Sequence, residues 1–348
     1  MIQPFLPRVY RVPCGKRLIV PCLAAMLGAG PLSVTAAASP PLVVTTIKPL
    51  HAIASTVMEG VGTPLVLIDG AASPHGFSLK PSQARQLQDA DAVFWIGPEL
   101  TPSLAKPISS MAGHAAVVEL MNAKGIEHLS FRSGADFDTN DTGHDHDDGE
   151  EGHEDDHHES THVGHNSDEG HAHESGEDPH IWLNPDNGIA IADTMAATLA
   201  KIDPVNAETY RENAARFTKQ IKALEEEIQS ELRPLADRKF LVFHDAYHHF
   251  EHHFGVEASG SITLSPESIS SADRLAEAQE KIRELNVVCV FQEPQFDSKL
   301  VDVALEDSSA RKGTLDPLGT DLTNGPDLYP DLLKNIAGSL ADCLGNPS

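Results

Sequence analysis

PLVVTTI, at residues 41–47, is a short β-branched run that predicts a buried strand. LVLI at residues 65–68 and ADAVFWI at residues 90–96 have the same character. Helical patterns lie between these runs, at residues 51–59 and from residue 81 onward. Because short apolar strands that alternate with helices are typical of parallel βα units, the sequence predicts an α/β fold.

The second half of the chain repeats this alternation. Strands are predicted at residues 240–243 and 287–291, and a strand with a loop at residues 313–318. Helical patterns occupy residues 245–254, 272–285, 298–307 and 329–344. Since 348 residues are enough for about two domains, we expect two α/β lobes.

A long amphipathic pattern separates the two halves. It runs through residues 204–232, with Ile221 and Leu224 among the apolar residues at helical spacing. At 1.5 Å per residue such a helix spans roughly 42 Å. This length predicts a rigid helix that links an N-terminal lobe at residues 39–203 to a C-terminal lobe at residues 233–348.

The start of the chain has the pattern of an export signal. Four basic residues up to Arg17 precede a short apolar segment, and small residues follow just before Ser39. Cys22 could instead carry a lipid anchor, but Pro21 directly before it fits that pattern poorly. The sequence therefore predicts a cleaved signal peptide at residues 1–38 and a soluble exported protein.

The mature chain would keep two cysteines, Cys289 and Cys343. Two cysteines in an oxidising compartment indicate one disulfide, and the alternative is a pair of buried free thiols. The bridge would close a loop of about 54 residues, for which chain entropy gives roughly 4 kcal/mol of stabilisation at most.

Residues 134–178 form an acidic tract rich in histidine. The tract contains seventeen Asp or Glu and no Lys or Arg, so it carries most of the net charge of −27. With almost nothing apolar to bury, it cannot offset the entropy cost of becoming ordered. Imidazoles and carboxylates suit Zn²⁺ or a neighbouring divalent transition ion, and acidity alone would not require so many histidines. We therefore expect an auxiliary metal-binding loop that uses His144, His146, His153, His157, His158, His162, His165, His171 and His173.

The rest of the chain is only mildly acidic. No apolar run reaches the ~20 residues needed to cross a bilayer. A mildly acidic surface argues against nucleic-acid partners and attracts cations.

Three further histidines lie where one kind of segment gives way to another. His75 follows the strand at residues 65–68, His180 follows the acidic tract, and His244 follows the strand at residues 240–243. In open α/β sheets ligands bind beyond the carboxyl ends of the strands. Three converging imidazoles would form a zinc site whose fourth position is open to a carboxylate or water. Each histidine taken alone is more often an ordinary surface or core residue.

His51 lies near the end of the first predicted strand. Its ring is therefore a candidate to line the cleft and to support the metal ligands from outside the coordination sphere.

Several sequence words resemble those of a known family, the solute-binding proteins of bacterial zinc ABC importers (ZnuA type). GAASPHGFSLKPS at residues 70–82, DPHIWLNP at residues 178–185 and FHDAY at residues 243–247 resemble the family's three ligand segments. CVFQEPQF at residues 289–296 and LDPLG at residues 315–319 resemble its C-terminal landmarks. The resemblance extends over essentially the whole mature chain, and the histidine-rich tract stands where the family carries such a loop.

The resemblance implies a fold and a function. Two lobes, each with a four-stranded mainly parallel sheet flanked by helices, would be joined by a long rigid helix and hold one metal ion in the cleft between them. The protein would be a periplasmic monomer, not an enzyme, that captures zinc and delivers it to an inner-membrane permease. Cys289 and Cys343 match the disulfide pair of some members.

The resemblance also implies the zinc ligands, which are His75, His180 and His244. The sequence departs from the family at Pro74, where some zinc-binding members carry an acidic residue that can complete the coordination. The fourth ligand therefore stays open between Asp316, water and a histidine of the tract.

Two other functions compete with this interpretation. One is an exported zinc hydrolase that uses three histidines and an open catalytic position. His-Glu-x-x-His occurs twice, at residues 153–157 and 158–162, but both copies lie inside the acidic tract, where no helix is predicted. No motif fixes a carboxylate as a general base beside the three histidines. The other is a metal-binding surface adhesin, which lipidation at Cys22 would favour.

Overall fold

The computed structural model describes residues 39–132, 137, 176–263 and 272–345. Nearly all of them belong to one compact unit, Pro40–Ser348, and the other unit is Met1–Ser39. The predicted signal peptide and the nine histidines of the tract lie outside the described residues. Within the described part, no helix is long and apolar enough to span a membrane.

The first sheet has four parallel strands in the order β2-β1-β3-β4. They are β1 Val43–Ile47, β2 Leu65–Ile68, β3 Ala92–Trp95 and β4 Ala116–Glu119. Its helices are α1 Lys48–Val57, α2 Pro81–Asp89 and α3 Ala105–Met111. Every residue of the central strands β1 and β3 is buried, as their apolar sequences predict. The edge strand β4 was not predicted, because its residues are only partly buried and Val117 is 41% exposed.

Two helices that pack against each other follow the tract. They are α4 Pro185–Ile202 and α5 Ala207–Leu232. Helix α4 begins after Asn184, whose side chain accepts a hydrogen bond from the backbone N–H of Asp186. Helix α5 is about 39 Å long. Its apolar face, including Ile221 and Leu224, is buried as predicted. The helix packs along α4 and α1, so it is part of the core rather than a free-standing connector.

The second sheet contains three regular parallel strands in the order β5-β6-β7. They are β5 Phe240–Leu241, β6 Cys289–Gln292 and β7 Arg311–Thr314. Where a fourth strand was expected, residues 259–263 run beside β5 and exchange backbone hydrogen bonds with it, but form only the single bridge Val242↔Ser261. Serine and glycine offer little side-chain packing on a pleated surface, which accounts for the irregular pairing.

The helices of the second half are α6 His248–Phe254, α7 Ala272–Glu284, α8 Lys299–Ala304 and α9 Leu328–Gly345. The predicted start of α6 at residue 245 is wrong by three residues. Ala246 donates its backbone N–H to the carbonyl of His244, so the chain makes a tight turn before the helix begins. This turn leaves His244 at the carboxyl end of the sheet.

Two apolar clusters hold the fold together. The larger one runs from the first sheet through α5 and α9 to one face of the second sheet, where it includes Phe240 and Phe291. The smaller one covers the opposite face with Leu241 and Val290, as the alternation of side chains along a strand requires. Because the larger cluster is continuous, α5 and α9 join the two sheets through buried side chains.

The predicted disulfide between Cys289 and Cys343 is present. It connects β6 to α9, and both cysteines are buried in the larger cluster. The bridge therefore reinforces the junction of the second sheet with the helix that packs behind it.

Candidate metal centre

The fold brings the three predicted ligand histidines together. His75 lies in the loop after β2, His180 just before α4, and His244 just after β5. One ring nitrogen of each lies within 4.8 Å of those of the other two. The Nε2 atoms of His75 and His180 are 3.4 Å apart. Two nitrogens on a tetrahedral zinc with bonds of about 2.0–2.1 Å would be roughly 3.3–3.4 Å apart, so this spacing already fits the ion.

The ring of His180 is oriented by Asp178. Its Nδ1 lies 2.6 Å from Oδ1 of the Asp178 carboxylate, and the same oxygen accepts the backbone N–H of His180 at 3.0 Å. A carboxylate only accepts hydrogen bonds, so the proton of the neutral ring sits on Nδ1. This leaves the lone pair of Nε2 directed at the other histidines.

The ring of His244 is oriented in the same way by Glu293. Its Nδ1 lies 2.7 Å from Oε1 of Glu293, which comes directly after β6. Its Nε2 is buried and has no hydrogen-bond partner in the described part of the chain. A buried imidazole nitrogen without a partner is costly unless a ligand takes it, as a metal ion would.

Burial and neighbouring charges set the protonation of these groups. Burial, with the adjacent histidines, lowers the pKa of His75 to about 2 and holds the pKa of His180 well below its ordinary value. Burial also disfavours the charged form of His244, but the carboxylates of Glu293, Asp245 and Asp178 together outweigh it and raise the pKa of that ring. Burial raises the pKa of Asp178 to about 6. Two of the three rings are therefore neutral near pH 7, ready to coordinate without losing a proton.

Asp316, a candidate for the fourth ligand, is engaged elsewhere. Its carboxylate accepts the backbone N–H groups of Leu318 and Thr320 and the side-chain amide of Gln295. Both oxygens thus stabilise the turn after β7. Within the described residues, the three imidazoles form a ligand group without a carboxylate.

His51 also lies away from the ligand group. It is buried in α1, and its Nε2 is 3.2 Å from the carbonyl oxygen of Pro64. Pro64 immediately precedes β2, whereas His75 follows β2 and His244 follows β5. Among the described residues, the hydrogen bond of the His51 ring goes to Pro64 and not to His75, His180 or His244, so the structure does not support the predicted role of His51.

A second group of donor atoms, from Asp186, Glu225 and His253, lies at the surface. The ammonium of Lys222 is 2.5 Å from Asp186 and 2.8 Å from Glu225. This lysine already supplies the cation for the group, which is an ordinary ion-pair cluster.

The acidic tract leaves the fold from a short paired stem. Phe131 donates its N–H to the carbonyl of Gly176, Asp178 donates to the carbonyl of Leu129, and Ser130 pairs antiparallel with Glu177. This pairing fixes both ends of the tract. On the C-terminal side it extends to Asp178, two residues before His180.

Sequence reasoning missed two residues at the site. Glu293 lies within CVFQEPQF, directly after the buried strand β6, and this position beyond the carboxyl end of a strand is the signal that could have found it. Asp178 stood in the second ligand segment without an assigned role. An acidic residue two positions before a ligand histidine is close enough to bind its ring.

Two parallel α/β sheets with a preformed three-histidine group at their carboxyl ends define a metal-binding protein of the two-lobed α/β class. Residues 43–343 match the family model described as zinc-uptake complex component A, periplasmic (ZnuA). The chain belongs to this family.

Similar proteins agree with the assignment. The chain is 49% identical over 304 residues to the high-affinity zinc uptake system protein ZnuA of Brucella abortus (strain 2308), covering 87% of this chain and 91% of the relative. It is 43% identical over 324 residues to the protein of the same name from Paracoccus denitrificans, covering 93% and 97%. The suspected family resemblance is confirmed.

Solved structures confirm the predicted fold class. A crystal structure of ZnuA superimposes with a TM-score of 0.69 at 24% identity, covering 88% of this chain and 99% of that one. The periplasmic zinc binding protein TroA from Treponema pallidum gives a TM-score of 0.70 at 18% identity, with coverages of 88% and 99%. At these identities the likeness concerns the fold alone.

Proposed function

We propose that this protein captures zinc in the periplasm with high affinity and delivers it to an ABC permease for uptake. The observation that carries the proposal is the preformed group of His75, His180 and His244, with donor atoms within 4.8 Å of one another. Membership of the zinc-uptake family and relatives named as high-affinity zinc uptake proteins support the same function.

The three histidines are the proposed zinc ligands. Nitrogen donors of intermediate softness suit zinc better than the hard cations that prefer oxygen. Asp178 and Glu293 hold two of the rings in the tautomer that presents Nε2 to the ion. The fourth position falls to water or to a histidine of the tract, since Asp316 is committed to its turn.

The proposed organisation follows from this role. Residues 1–38 are the cleaved signal, residues 39–203 and 233–348 are the two lobes, and residues 204–232 link them. The mature protein acts as a periplasmic monomer, with an inner-membrane permease as its partner. The histidine-rich tract collects further zinc ions with lower affinity.

A binding role fits the site better than hydrolysis. The carboxylates beside the imidazoles, Asp178 and Glu293, are hydrogen-bonded to ligand rings. Neither is positioned as a base for a metal-bound water. We therefore expect the zinc-loaded protein to turn over neither ester nor lactam substrates.

Competition titration of the mature chain against a zinc chelator tests the proposal. His75→Ala and His244→Ala should each weaken the tight site strongly and leave the fold intact. The exposed His114→Ala is the matched control and should bind as the parent does. Tight zinc binding that survives both ligand substitutions would overturn the assignment.

A further inference from the structure

Arg132, just before the tract, forms buried ion pairs with Asp245 and Glu251. Its guanidinium donates through Nε to Oδ2 of Asp245 at 3.0 Å and through Nη2 to the other oxygen of the same carboxylate. Nη1 donates to Oε2 of Glu251 at 2.7 Å. The side chains of Arg132 and Asp245 are each 11% exposed, and that of Glu251 is 1% exposed. A two-pronged arginine–carboxylate pair fixes direction as well as distance.

These ion pairs join the segment that carries His180 to the segment that carries His244. Arg132 directly follows the paired stem whose other strand leads through Asp178 into His180. Asp245 is the residue after His244. The guanidinium of Arg132 therefore connects the paired stem before His180 to the turn at His244, and neither imidazole takes part in this connection.

Neighbouring contacts make this connection stiff. Glu251 also accepts the backbone N–H of Ala258. The carboxylate that accepts from Arg132 is therefore held in place by a second hydrogen bond. His249 lies with its Nε2 3.2 Å from the backbone carbonyl oxygen of Asp178, which ties α6 to the same stem. The guanidinium carbon of Arg132 lies 3.8 Å from the ring centroid of Phe137.

We propose that Arg132 is a positioning residue of the zinc site, an inference that rests on the proposed function. It holds the segments of His180 and His244 at the separation the ion requires, before the ion arrives. Binding then spends little free energy on bringing two ligands together. Removing the guanidinium would also leave the Asp245 and Glu251 carboxylates without their cationic partner, which destabilises the local structure that holds the His244 turn.

The experiment compares variants of the full mature chain with zinc alone as the ligand. Arg132→Met keeps the aliphatic length and removes the charge, and Arg132→Lys keeps the charge without the fork. Asn213→Ala is the stability control, because its buried side chain donates to the carbonyls of Val57 and Glu59, away from the site. Chelator competition gives zinc affinity, melting of the metal-free protein gives stability, and the visible absorption of the Co²⁺-loaded protein reports ligand geometry.

We expect Arg132→Met to lower zinc affinity by about 10- to 100-fold, as for other residues that orient metal ligands, and to alter the Co²⁺ spectrum. Arg132→Lys should fall between Arg132→Met and the parent. Asn213→Ala should lower the melting temperature while leaving affinity and spectrum unchanged.

Arg132→Met with parental affinity and spectrum would overturn the inference, even if its melting temperature fell. If Arg132→Met does not fold, Arg132→Lys decides the question by the same two readouts. A parent chain that binds no zinc tightly would instead reject the proposed function, so the two failures are distinguishable.

Discussion

The Nδ1 atom of His244 lies 2.7 Å from Oε1 of Glu293, although 49 residues separate them in the sequence. The two residues follow the neighbouring parallel strands β5 and β6, whose carboxyl ends meet at one edge of the second sheet. His180 has the same relationship with Asp178 at 2.6 Å. Each lobe thus presents an imidazole whose orientation and tautomer are set by a carboxylate behind it.

Replacing Glu293 with Gln should weaken zinc binding. The amide keeps the size of the side chain but loses the charge that makes the ring of His244 a better donor, and we expect about 10- to 100-fold lower affinity. The pKa of His244 should fall at the same time, because Glu293 contributes most among the carboxylates that raise it. Chelator competition and NMR titration of the imidazole measure the two effects. The exposed Glu227→Gln is the matched control, and an unchanged affinity in Glu293→Gln would contradict the proposed role.

Above about pH 6, where Asp178 is ionised, zinc affinity should depend on pH through a single proton. His75 and His180 have pKa values lowered by burial, so they are neutral and need release nothing. The pKa of His244 is raised above its ordinary value of 6.5, so below that raised pKa a proton competes with zinc for this ring. Affinity should therefore fall as the pH drops through the pKa of His244, by about tenfold per pH unit. A plot of log affinity against pH with a slope near three would show that all three rings release protons.

Removing the disulfide should destabilise the protein without changing the metal site. Cys289 and Cys343 join β6 to α9 inside the larger core, and neither contacts the ligand histidines. A double Cys→Ser variant should lose up to roughly 4 kcal/mol of unfolding free energy. Zinc stoichiometry at the tight site should stay the same. Reactive thiols in the native parent would contradict the bridge.

Deleting residues 134–175 should remove the weak zinc sites and keep the tight one. This deletion spares Gly176, whose carbonyl accepts the N–H of Phe131 in the stem, so Asp178 and His180 stay anchored. A short glycine linker closes the gap, and isothermal titration counts the ions before and after. Loss of the tight site would show that a tract histidine supplies the fourth ligand.

Much of the fold could be predicted because its signals are local. The buried strands β1 and β3 are continuous apolar runs, and α5 has a clear helical period. The edge strand β4 and the irregular segment at residues 259–263 lack such runs, since one is partly exposed and the other is rich in serine and glycine. The start of α6 was missed because the turn at His244 depends on backbone geometry rather than on composition.

The group of three histidines could also be predicted, because each lies at a junction in the sequence and within a word that resembles one of the family's ligand segments. Their supports could not, since Glu293 and Arg132 reach the site from residues 49 and 113 positions away from their partners. The candidate role of Asp316 rested on the family resemblance, since it lies in LDPLG at residues 315–319, one of the family's C-terminal landmarks. The structure shows that its own turn uses both carboxylate oxygens.

Anomalous diffraction at the zinc edge, on crystals of the mature protein loaded with one equivalent of zinc, tests the central claim most directly. The account predicts one strong peak at about 2.0–2.1 Å from a ring nitrogen of each of His75, His180 and His244. A main peak at any other place, or one bonded to fewer than these three histidines, would contradict it.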